Sequence, residues 1–284
     1  MGLKDILVHV DDARGNEARL RLAIELARRN DAHLTGLFVI EPVDIAMLAA
    51  PIGPDVAALA TLDAIQEEHR AARRALADRL AATFRGATER AGIAAEWRLA
   101  EGAVTDLVIL NARYADLAIL GQIDPENPGV GAPSPEAVLL GSGRPILVVP
   151  YIGAGETVGR RVLAAWSASR EASRALNDAL PLLEDAETVI VFSVNPARGI
   201  AGEGELPAAD IALHLARHGI KAEAAYAVAE DIGVGDVLLS RAADLGSDLM
   251  VMGGYGHSRL REIVLGGATR TVLRHMTVPV LLSH

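Results

Sequence analysis

The last part of the chain carries a glycine pattern of the kind that can hold a negatively charged group. Five glycines lie between Met252 and Gly267, and four of them have the spacing Gly253, two residues, Gly256, nine residues, Gly266 and Gly267. Glycine lets the backbone turn sharply and approach a ligand without a Cβ clash, and free amides at a helix start attract anions. The spacing therefore indicates a phosphate-binding loop.

Two common glycine motifs do not fit this stretch. It follows a late strand instead of the first one, so it is not the dinucleotide-binding fingerprint, and it lacks the lysine followed by serine or threonine of a P-loop. Glycine-rich turns between a strand and a helix also occur where no phosphate binds. Arg259, Arg261 and Arg270 add positive charge nearby, but residue types and spacing alone leave both explanations open.

The elements that must position this loop occur twice. "DILVHVDD" opens the first half and "RVLAAWSAS" opens the second; each is followed by a helical Ala/Leu/Arg segment, a short strand, an Asp-Leu strand and a final Pro-led strand, "RPILVVP" or "TVPVLLSH". Matching residues lie roughly 130 to 156 positions apart, which indicates tandem duplication. We predict one domain over residues 1–150 and a second over 159–284, joined near "YIGAGETVGR".

The alternation of strands and helices predicts the fold class. The strands "DILVHV", "DLAILG", "DLMVMG" and "PILVV" are nearly continuous in apolar residues, as expected for parallel strands buried on both faces. Each half is therefore predicted to be a doubly wound parallel α/β sheet of about five strands. Ligands of such sheets bind beyond the carboxyl ends of the strands, here near Asp11 or Ser167 and after Gly121 or Gly253.

With its motifs in place, the chain resembles the universal stress proteins, whose fold is that of the adenine nucleotide alpha-hydrolase-like group. Nucleotide-binding members of that family carry Gly-x2-Gly-x9-Gly followed by Ser or Thr, and "GGYGHSRLREIVLGG" matches every glycine. The opening strand, "DLMVMGG" and the terminal "VPVLL" also match their family segments. The resemblance covers nearly the whole chain, twice, and implies a tandem member that acts in the stress response or in signalling.

The resemblance also implies a ligand for the second half: ATP, with AMP, ADP and accompanying magnesium left open. The resemblance implies that the phosphates lie on Gly253, Gly256, Gly266 and Gly267, with His257 beside them. It also implies that Met252 and Val194 border the adenine. Two positions depart from the family pattern. Gly267 replaces the expected Ser or Thr, for which Thr269 offers a hydroxyl, and Ser167 replaces an acidic residue.

The first half departs further from the family pattern. Asp11 stands where the first-strand acid belongs, but Asp124 occupies the second glycine position, and Pro133 lacks the N–H that a phosphate would use. We therefore interpret this half as a degenerate copy that folds, pairs and contributes surface. On that interpretation Asp11 is a turn residue and Asp12 caps the following helix.

Composition limits the class of partner. The net charge of −10 disfavours a nucleic-acid backbone, and 3% aromatic content leaves little for base stacking. The chain has no cysteine, which fits a reducing compartment, and Pro51, Pro54 and several aspartates interrupt its most apolar region. We therefore expect a cytoplasmic protein that binds neither nucleic acid nor membrane.

Other motifs are assigned structural roles. His214 and His218 share a helix face without a third ligand, and "GSG" at Ser142 leads from helix to strand, so it is a turn and not a nucleophile elbow. The charged stretch that begins "IQEEHRAARR" predicts a surface helix. For the apolar segment 45–62 two roles stay open: a cover over a groove or subunit contact, and a loop that caps the helix.

These observations are compatible with three functions. The first is a nucleotide-binding regulator without efficient turnover, the second a chaperone-like or interaction module whose glycine loop binds nothing, and the third a slow ATPase.

The family's single-domain members usually pair through the last strand, so the two halves are expected to pair with each other through "PILVV" and "PVLLS". Further assembly into a homodimer stays open.

Overall fold

The computed structural model describes residues 2–42, 56–126, 131–155, 157–196, 208–229, 231–255 and 267–284, with the side chains of 56–61 left aside. The elements of the first half are β1 Asp5–His9, α1 Asn16–Asn30, β2 His33–Ile40, α2 Val56–Ala91, β3 Ala95–Glu101, α3 Val104–Ala112, β4 Leu117–Gly121, α4 Pro135–Ser142 and β5 Ile146–Val149. Those of the second half are β6 Arg161–Trp166, α5 Arg170–Leu183, β7 Thr188–Val194, α6 Ala209–Arg217, β8 Ala222–Ala227, α7 Val234–Asp244, β9 Leu249–Gly253, α8 Gly267–His275 and β10 Val280–Ser283.

The ten strands form one sheet in the order β3-β2-β1-β4-β5-β10-β9-β6-β7-β8. Within each half the pairing is parallel, and the halves join where β5 runs antiparallel to β10, with Val148 opposite Val280 and Ile146 opposite Leu282. The predicted doubly wound fold and the predicted pairing of the two last strands are both confirmed. Strand order reverses at two switch points, between β1 and β4 and between β6 and β9.

Helices cover both faces of the sheet, so the central strands are apolar on both sides. Along β1, Ile6 and Val8 belong to one buried cluster, and Leu7 between them belongs to the other. The same alternation places Val251 of β9 in the first cluster and Met252 in the second. This two-sided burial explains why the strands read as continuous apolar runs.

The repeated Asp-Leu motif has a hydrogen-bonding role. In the first half, Asp116 Oδ2 accepts from the backbone N–H groups of Lys4 and Asp5 at 2.8 and 3.1 Å. In the second half, Asp248 Oδ1 accepts from the backbone N–H groups of residues 159–161 at 3.0–3.1 Å. Each carboxylate therefore fixes the beginning of its half's first strand next to the strand at the switch point.

The loop after the fourth strand of each half meets the last helix of the other half. Gln122, directly after β4, donates from Nε2 to the carbonyl oxygens of Leu273 and Arg274 at 2.9 and 3.1 Å, at the carboxyl end of α8. Gly254, directly after β9, has no room for a side chain because Leu139 Cδ2 of α4 stands where a Cβ would lie. The two halves are thus interlocked at matching positions.

Several smaller predictions can be compared with the fold. The charged surface helix is present as α2 and begins at Val56, inside the apolar segment; residues 45–55 of that segment lie outside the described residues. Ser142 ends α4 and is followed by Gly143 with φ +69°, so the predicted turn is confirmed. His214 lies on α6 with its ring 4.9 Å from that of His218.

Two further properties concern membranes and metals. Across the described residues, no helix combines the length and apolar character needed to cross a bilayer. In the same part of the chain, no three or more histidine, aspartate or glutamate side chains are grouped so that they could hold a metal ion.

Replacing Asp248 by alanine tests its role at the start of β6. Hydrogen bonds to a charged acceptor contribute more than neutral ones, so Asp248→Ala is expected to lower the free energy of unfolding in urea by about 1–3 kcal/mol. Asp244→Ala removes an exposed carboxylate a few residues away and is the control, with an expected change within about 0.5 kcal/mol. Equal effects of the two substitutions would contradict the assignment.

Candidate functional site

A cavity of about 310 Å³ opens at the carboxyl ends of β6, β7 and β9, beside the second switch point. Its size lies at the lower end of the range of small-molecule sites, roughly 300–1,000 Å³. The lining residues are Ala165, Trp166, Ser167, Ser169, Glu171, Phe192, Val194, Val234, Leu238, Met252, Gly253, Tyr255, Ala268 and Thr269. The cavity therefore lies where a doubly wound sheet is expected to bind its ligand.

The cavity lining divides into an apolar and a polar part. Phe192, Val194, Leu238 and Met252 belong to the apolar cluster between the sheet and its helices on one face. The polar part comes from the loop and first turn after β6, where Ser167 Oγ donates to Ser169 Oγ at 3.2 Å and the buried Glu171 follows, and from Thr269. An apolar face beside a few polar groups suits a flat ring that carries a polar substituent.

Gly253 is required by packing inside the second half. A Cβ there would lie 2.5 Å from the backbone nitrogen of Ala172 and 2.6 Å from the carbonyl carbon of Glu171. The loop spacing predicts this glycine from close approach of a ligand; the structure adds a reason that requires no ligand, namely the contact between β9 and the start of α5. Part of the glycine pattern is therefore a packing requirement.

The beginning of α8 faces the cavity. Ala268 and Thr269, in its first turn, belong to the lining, and Thr269 is buried. Gly267 begins the helix, and no atom of the described residues comes within 4 Å of the position where its Cβ would lie. The unpaired amides and the dipole of a helix start favour a negatively charged group at this end of the cavity.

Three residues with unusual backbone conformations follow the strands that surround the cavity. Ala168, Asn195 and Tyr255 follow β6, β7 and β9 with φ of +52°, +50° and +54°. Left-handed conformations are uncommon for residues with side chains and often occur at binding sites. Among the described residues of the first half, Asp31 alone has such a conformation without being glycine, and it ends α1.

Tyr255 connects the cavity to the first half. Its hydroxyl hydrogen-bonds the carboxylate of Glu136, in the first turn of α4, and burial together with that carboxylate raises the pKa of Tyr255 to about 12. Glu136 itself accepts from the hydroxyl of Ser134, the N-cap residue of α4, at 3.1 Å. A residue of the cavity lining is thus held by the opposite half.

The residues predicted from the sequence can now be placed. Ser167, Val194, Met252, Gly253 and Thr269 line the cavity, and Gly267 begins the adjoining helix. The remaining three predicted residues, Gly256, His257 and Gly266, lie outside the described residues.

Nine of the fourteen lining residues were not predicted from the sequence, among them Trp166, Glu171, Phe192 and Leu238. Glu171 and Leu238 lie on helices and Trp166 and Phe192 on strands, at positions that carry no motif of their own. The signal that could have found Glu171 is its position in the first turn of the helix after the first strand, four residues beyond Ser167.

The corresponding cleft of the first half, about 280 Å³, contains an internal ion pair. Arg19 Nη2 donates to Asp11 Oδ1 at 2.6 Å and to Asn16 Oδ1 at 2.9 Å, and Arg19 Nη1 stands where a Cβ of Gly121 would lie. Asp11 is thus more than a turn residue, although its Oδ1 also accepts from the N–H of Ala13. The guanidinium fills the space beside this strand end, whereas the start of α5 fills the matching space beside Gly253 in the second half.

The helix cap predicted for the first half is wrong. Gly15 is the N-cap residue of α1, without a side-chain cap, and Asp12 instead lies 3.5 Å from Arg73 Nη1. An arginine from α2 therefore attracts the carboxylate that was expected to accept from the α1 backbone.

Burial and charge shift two pKa values in this cleft. Burial alone would raise the pKa of Asp11, but Arg19 and His9 outweigh it and hold that pKa well below its ordinary value. For His9, burial is the largest influence and lowers the pKa below 6.5, although Asp11, 3.5 Å away, opposes the shift. His9 is therefore neutral and Asp11 ionised at pH 7.

Known proteins share this architecture. The sequence model of the universal stress protein family matches residues 2–122 and 159–284. A universal stress protein of Archaeoglobus fulgidus aligns with 98% of this chain and 95% of its own at 18% identity and a TM-score of 0.72. A putative universal stress protein of Pseudomonas aeruginosa aligns over 99% and 93% at 18% identity and a TM-score of 0.59. At such identity these structures support the fold alone.

A curated relative matches only a short segment. Universal stress protein Slr1230 of Synechocystis is 53% identical over 34 residues, which is 12% of this chain and 12% of that protein. The fold is that of a tandem doubly wound α/β protein, with a cavity beside its second switch point. The family match covers most of both halves, and the chain belongs to the universal stress protein family.

The pKa of His9 predicts a pH dependence of stability. A histidine whose folded pKa is lowered stabilises the fold above its unfolded pKa near 6.5, and this stability is lost as pH falls. Between pH 7 and 5 the free energy of unfolding should therefore decrease more steeply in the native chain than in His9→Gln, by up to about 1.4 kcal/mol per pH unit. His33→Gln, which replaces a half-buried histidine, is the control. If the free energy of unfolding of His9→Gln falls with pH as steeply as that of the native chain, His9 is not the group responsible.

Proposed function

We propose that the second half binds an adenine nucleotide, ATP in the first place, and that the protein acts as a nucleotide-responsive module of the stress response. The observation that carries this proposal is the cavity at the second switch point, which has an apolar wall, a polar floor and a helix start at one end. These are the three environments that a base, a sugar and a phosphate chain require. AMP, ADP and accompanying magnesium are alternatives within the same proposal.

The lining suggests how the nucleotide would lie. Val194 and Met252 would border the adenine, in the apolar part of the cavity. The phosphates would extend toward Gly267 and Thr269 at the start of α8, where Thr269 offers the hydroxyl that Gly267 lacks. Gly256, His257 and Gly266 keep their proposed phosphate-binding roles on the basis of the family pattern.

We further propose that the two domains, 1–150 and 159–284, differ in ligand binding, so that each chain binds one nucleotide. In the first half the ion pair of Arg19 with Asp11 occupies the strand end, and Pro133 lines the cleft without an amide to donate. The first half would then serve as a partner that braces the second.

A second candidate function is supported by the packing of the glycines. Gly253 and Gly254 have structural reasons to be glycine, since α5 and Leu139 fill the space beside them. Part of the loop pattern would therefore persist in an interaction or chaperone-like module that binds no nucleotide. Mass spectrometry of natively purified protein separates the two candidates, because co-purifying ATP or AMP supports binding.

Trp166 provides a direct test of the cavity. The chain has two tryptophans, and the other, Trp97, packs against Phe38 and Phe84 in the first half. In Trp97→Phe protein, ATP should change the fluorescence of Trp166 with saturation at about one ATP per chain, whereas Trp166→Phe protein should show no change. ATP at a concentration one hundred times its Kd should also raise the free energy of unfolding by about 2.7 kcal/mol. If millimolar ATP changes neither the fluorescence of Trp166 nor the stability of the protein, the proposal is wrong.

Gly267 allows a charge test at the start of α8. A Cβ there meets no atom of the described part of the chain within 4 Å, and an aspartate in the first turn of a helix stabilises the helix by about 0.3–1 kcal/mol. Gly267→Asp should nevertheless weaken ATP binding at least about tenfold in calorimetry, because its carboxylate would repel the phosphates. Gly267→Asn is the matched neutral control, with Kd expected within about threefold of native. Equal Kd values for the two variants would place the phosphates elsewhere.

A further inference from the structure

The cleft of the first half contains a second arginine besides the one that pairs with Asp11. Arg73 extends from α2 over the ring of Phe38, with its Cζ 5.0 Å from the ring centroid, and its side chain is 12% exposed. Arg73 lines the cleft together with His69, one turn before it on the same face of α2. The guanidinium is therefore packed against an aromatic ring and also borders the cleft.

The donors of Arg73 are poorly satisfied within the described part of the chain. A guanidinium has five N–H donors, but Arg73 Nε is closed to solvent without a hydrogen-bond partner, and Nη1 approaches Asp12 Oδ1 only to 3.5 Å. The Asp12 side chain is 55% exposed, so water screens this attraction. Nη2 points toward Gly131, where a Cβ would lie 3.3 Å away. Nη1 and Nη2 are thus the two donors that a ligand in the cleft can reach.

The buried charges of the cleft do not balance. Arg19 and Arg73 bring two guanidiniums, whereas Asp11 brings one carboxylate. His9 adds no charge because it is neutral at pH 7, and both arginines lower its pKa. An unmatched buried charge is costly, and an anion held beside it offsets much of that cost. The excess of one positive charge therefore favours an anionic ligand.

The remaining lining of the cleft is compatible with an anion. The carboxylate of Asp124 already has a partner, since its Oδ1 accepts from the N–H of Glu126 at 2.9 Å. Gly15, the N-cap residue of α1, lines the cleft without a side-chain cap, and a helix start attracts negative charge. Arg14 adds a further positive charge at the exposed edge. Two elements besides Arg73 thus direct positive potential into the cleft.

We infer that the cleft of the first half binds a small oxyanion, the phosphate or carboxylate group of a small molecule, which Arg73 holds through Nη1 and Nη2. A guanidinium presents its N–H groups as a fork that matches two oxygens of such a group. The cleft volume of about 280 Å³ limits the ligand to a small molecule. This inference goes beyond the proposed nucleotide binding and does not depend on it, since the ligand and the half that holds it are different.

Calorimetric titration with inorganic phosphate and with malonate, at constant ionic strength in chloride, tests the inference. The native chain should bind at least one of the two, and the tighter one identifies the group as phosphate or carboxylate. Arg73→Gln should bind that anion at least about tenfold more weakly, as expected for the loss of hydrogen bonds from a charged donor. Arg74→Gln is the matched control, because it removes an exposed arginine beside Arg73 and should leave the Kd unchanged.

Trp97 shows in which half the anion binds. Its ring lies 6.5 Å from that of Phe38, over which Arg73 packs. In Trp166→Phe protein, Trp97 is the sole tryptophan, so the anion should change its fluorescence with the Kd found by calorimetry. Adding Arg73→Gln should abolish this change. Adding Gly267→Asp, which alters the start of α8 in the second half, should leave it intact.

Two results would overturn the inference: no binding of either anion to the native chain at millimolar concentrations, or the same Kd for native and Arg73→Gln protein. Neither result bears on nucleotide binding, because ATP should bind Arg73→Gln with the native Kd. Should Arg73→Gln not fold, Arg73→Lys takes its place, since it keeps the charge and loses the fork. Arg73→Lys should bind the anion more weakly than the native chain, and an unchanged Kd would contradict the assignment.

Discussion

The antiparallel pairing of β5 with β10 is the constraint on which the rest of the structure depends. Both strands are the last of their halves, and each would otherwise leave an edge of unpaired backbone groups. Because equivalent strands pair in opposite directions, the two halves are related by an approximate two-fold rotation, and the loop after the fourth strand of each half meets the last helix of the other. One ladder of backbone hydrogen bonds thereby fixes the surroundings of both switch points.

The two switch points have the same backbone and opposite chemistry. At the first, a guanidinium from α1 lies against the strand end and is paired with Asp11. At the second, a carboxylate from α5 lies against the strand end and a cavity remains beside it. Side chains from the first turns of equivalent helices therefore set the charge beside each strand end, whereas the sheet is common to both and the two clefts have similar volumes, about 280 and 310 Å³.

The sequence was sufficient for the fold because burial on both faces and tandem repetition are patterns of residue type and order. It also placed Ser167, Val194, Met252, Gly253 and Thr269 around one cavity, since strand ends follow from the strands. It could not reveal Glu171 or the Arg19–Asp11 pair, because these contacts join residues whose spacing has no period. The packing explanation for Gly253 was likewise invisible, since it depends on how closely α5 approaches β9.

The contact between Leu139 and Gly254 makes the geometry of one copy depend on the other. A side chain of the first copy packs against the residue that follows the fourth strand of the second copy, where a Cβ has no room. A substitution on this face of α4 would therefore displace the end of β9 in a half to which it does not belong. The two copies thus form a single mechanical unit, although each has its own parallel strands and its own cleft.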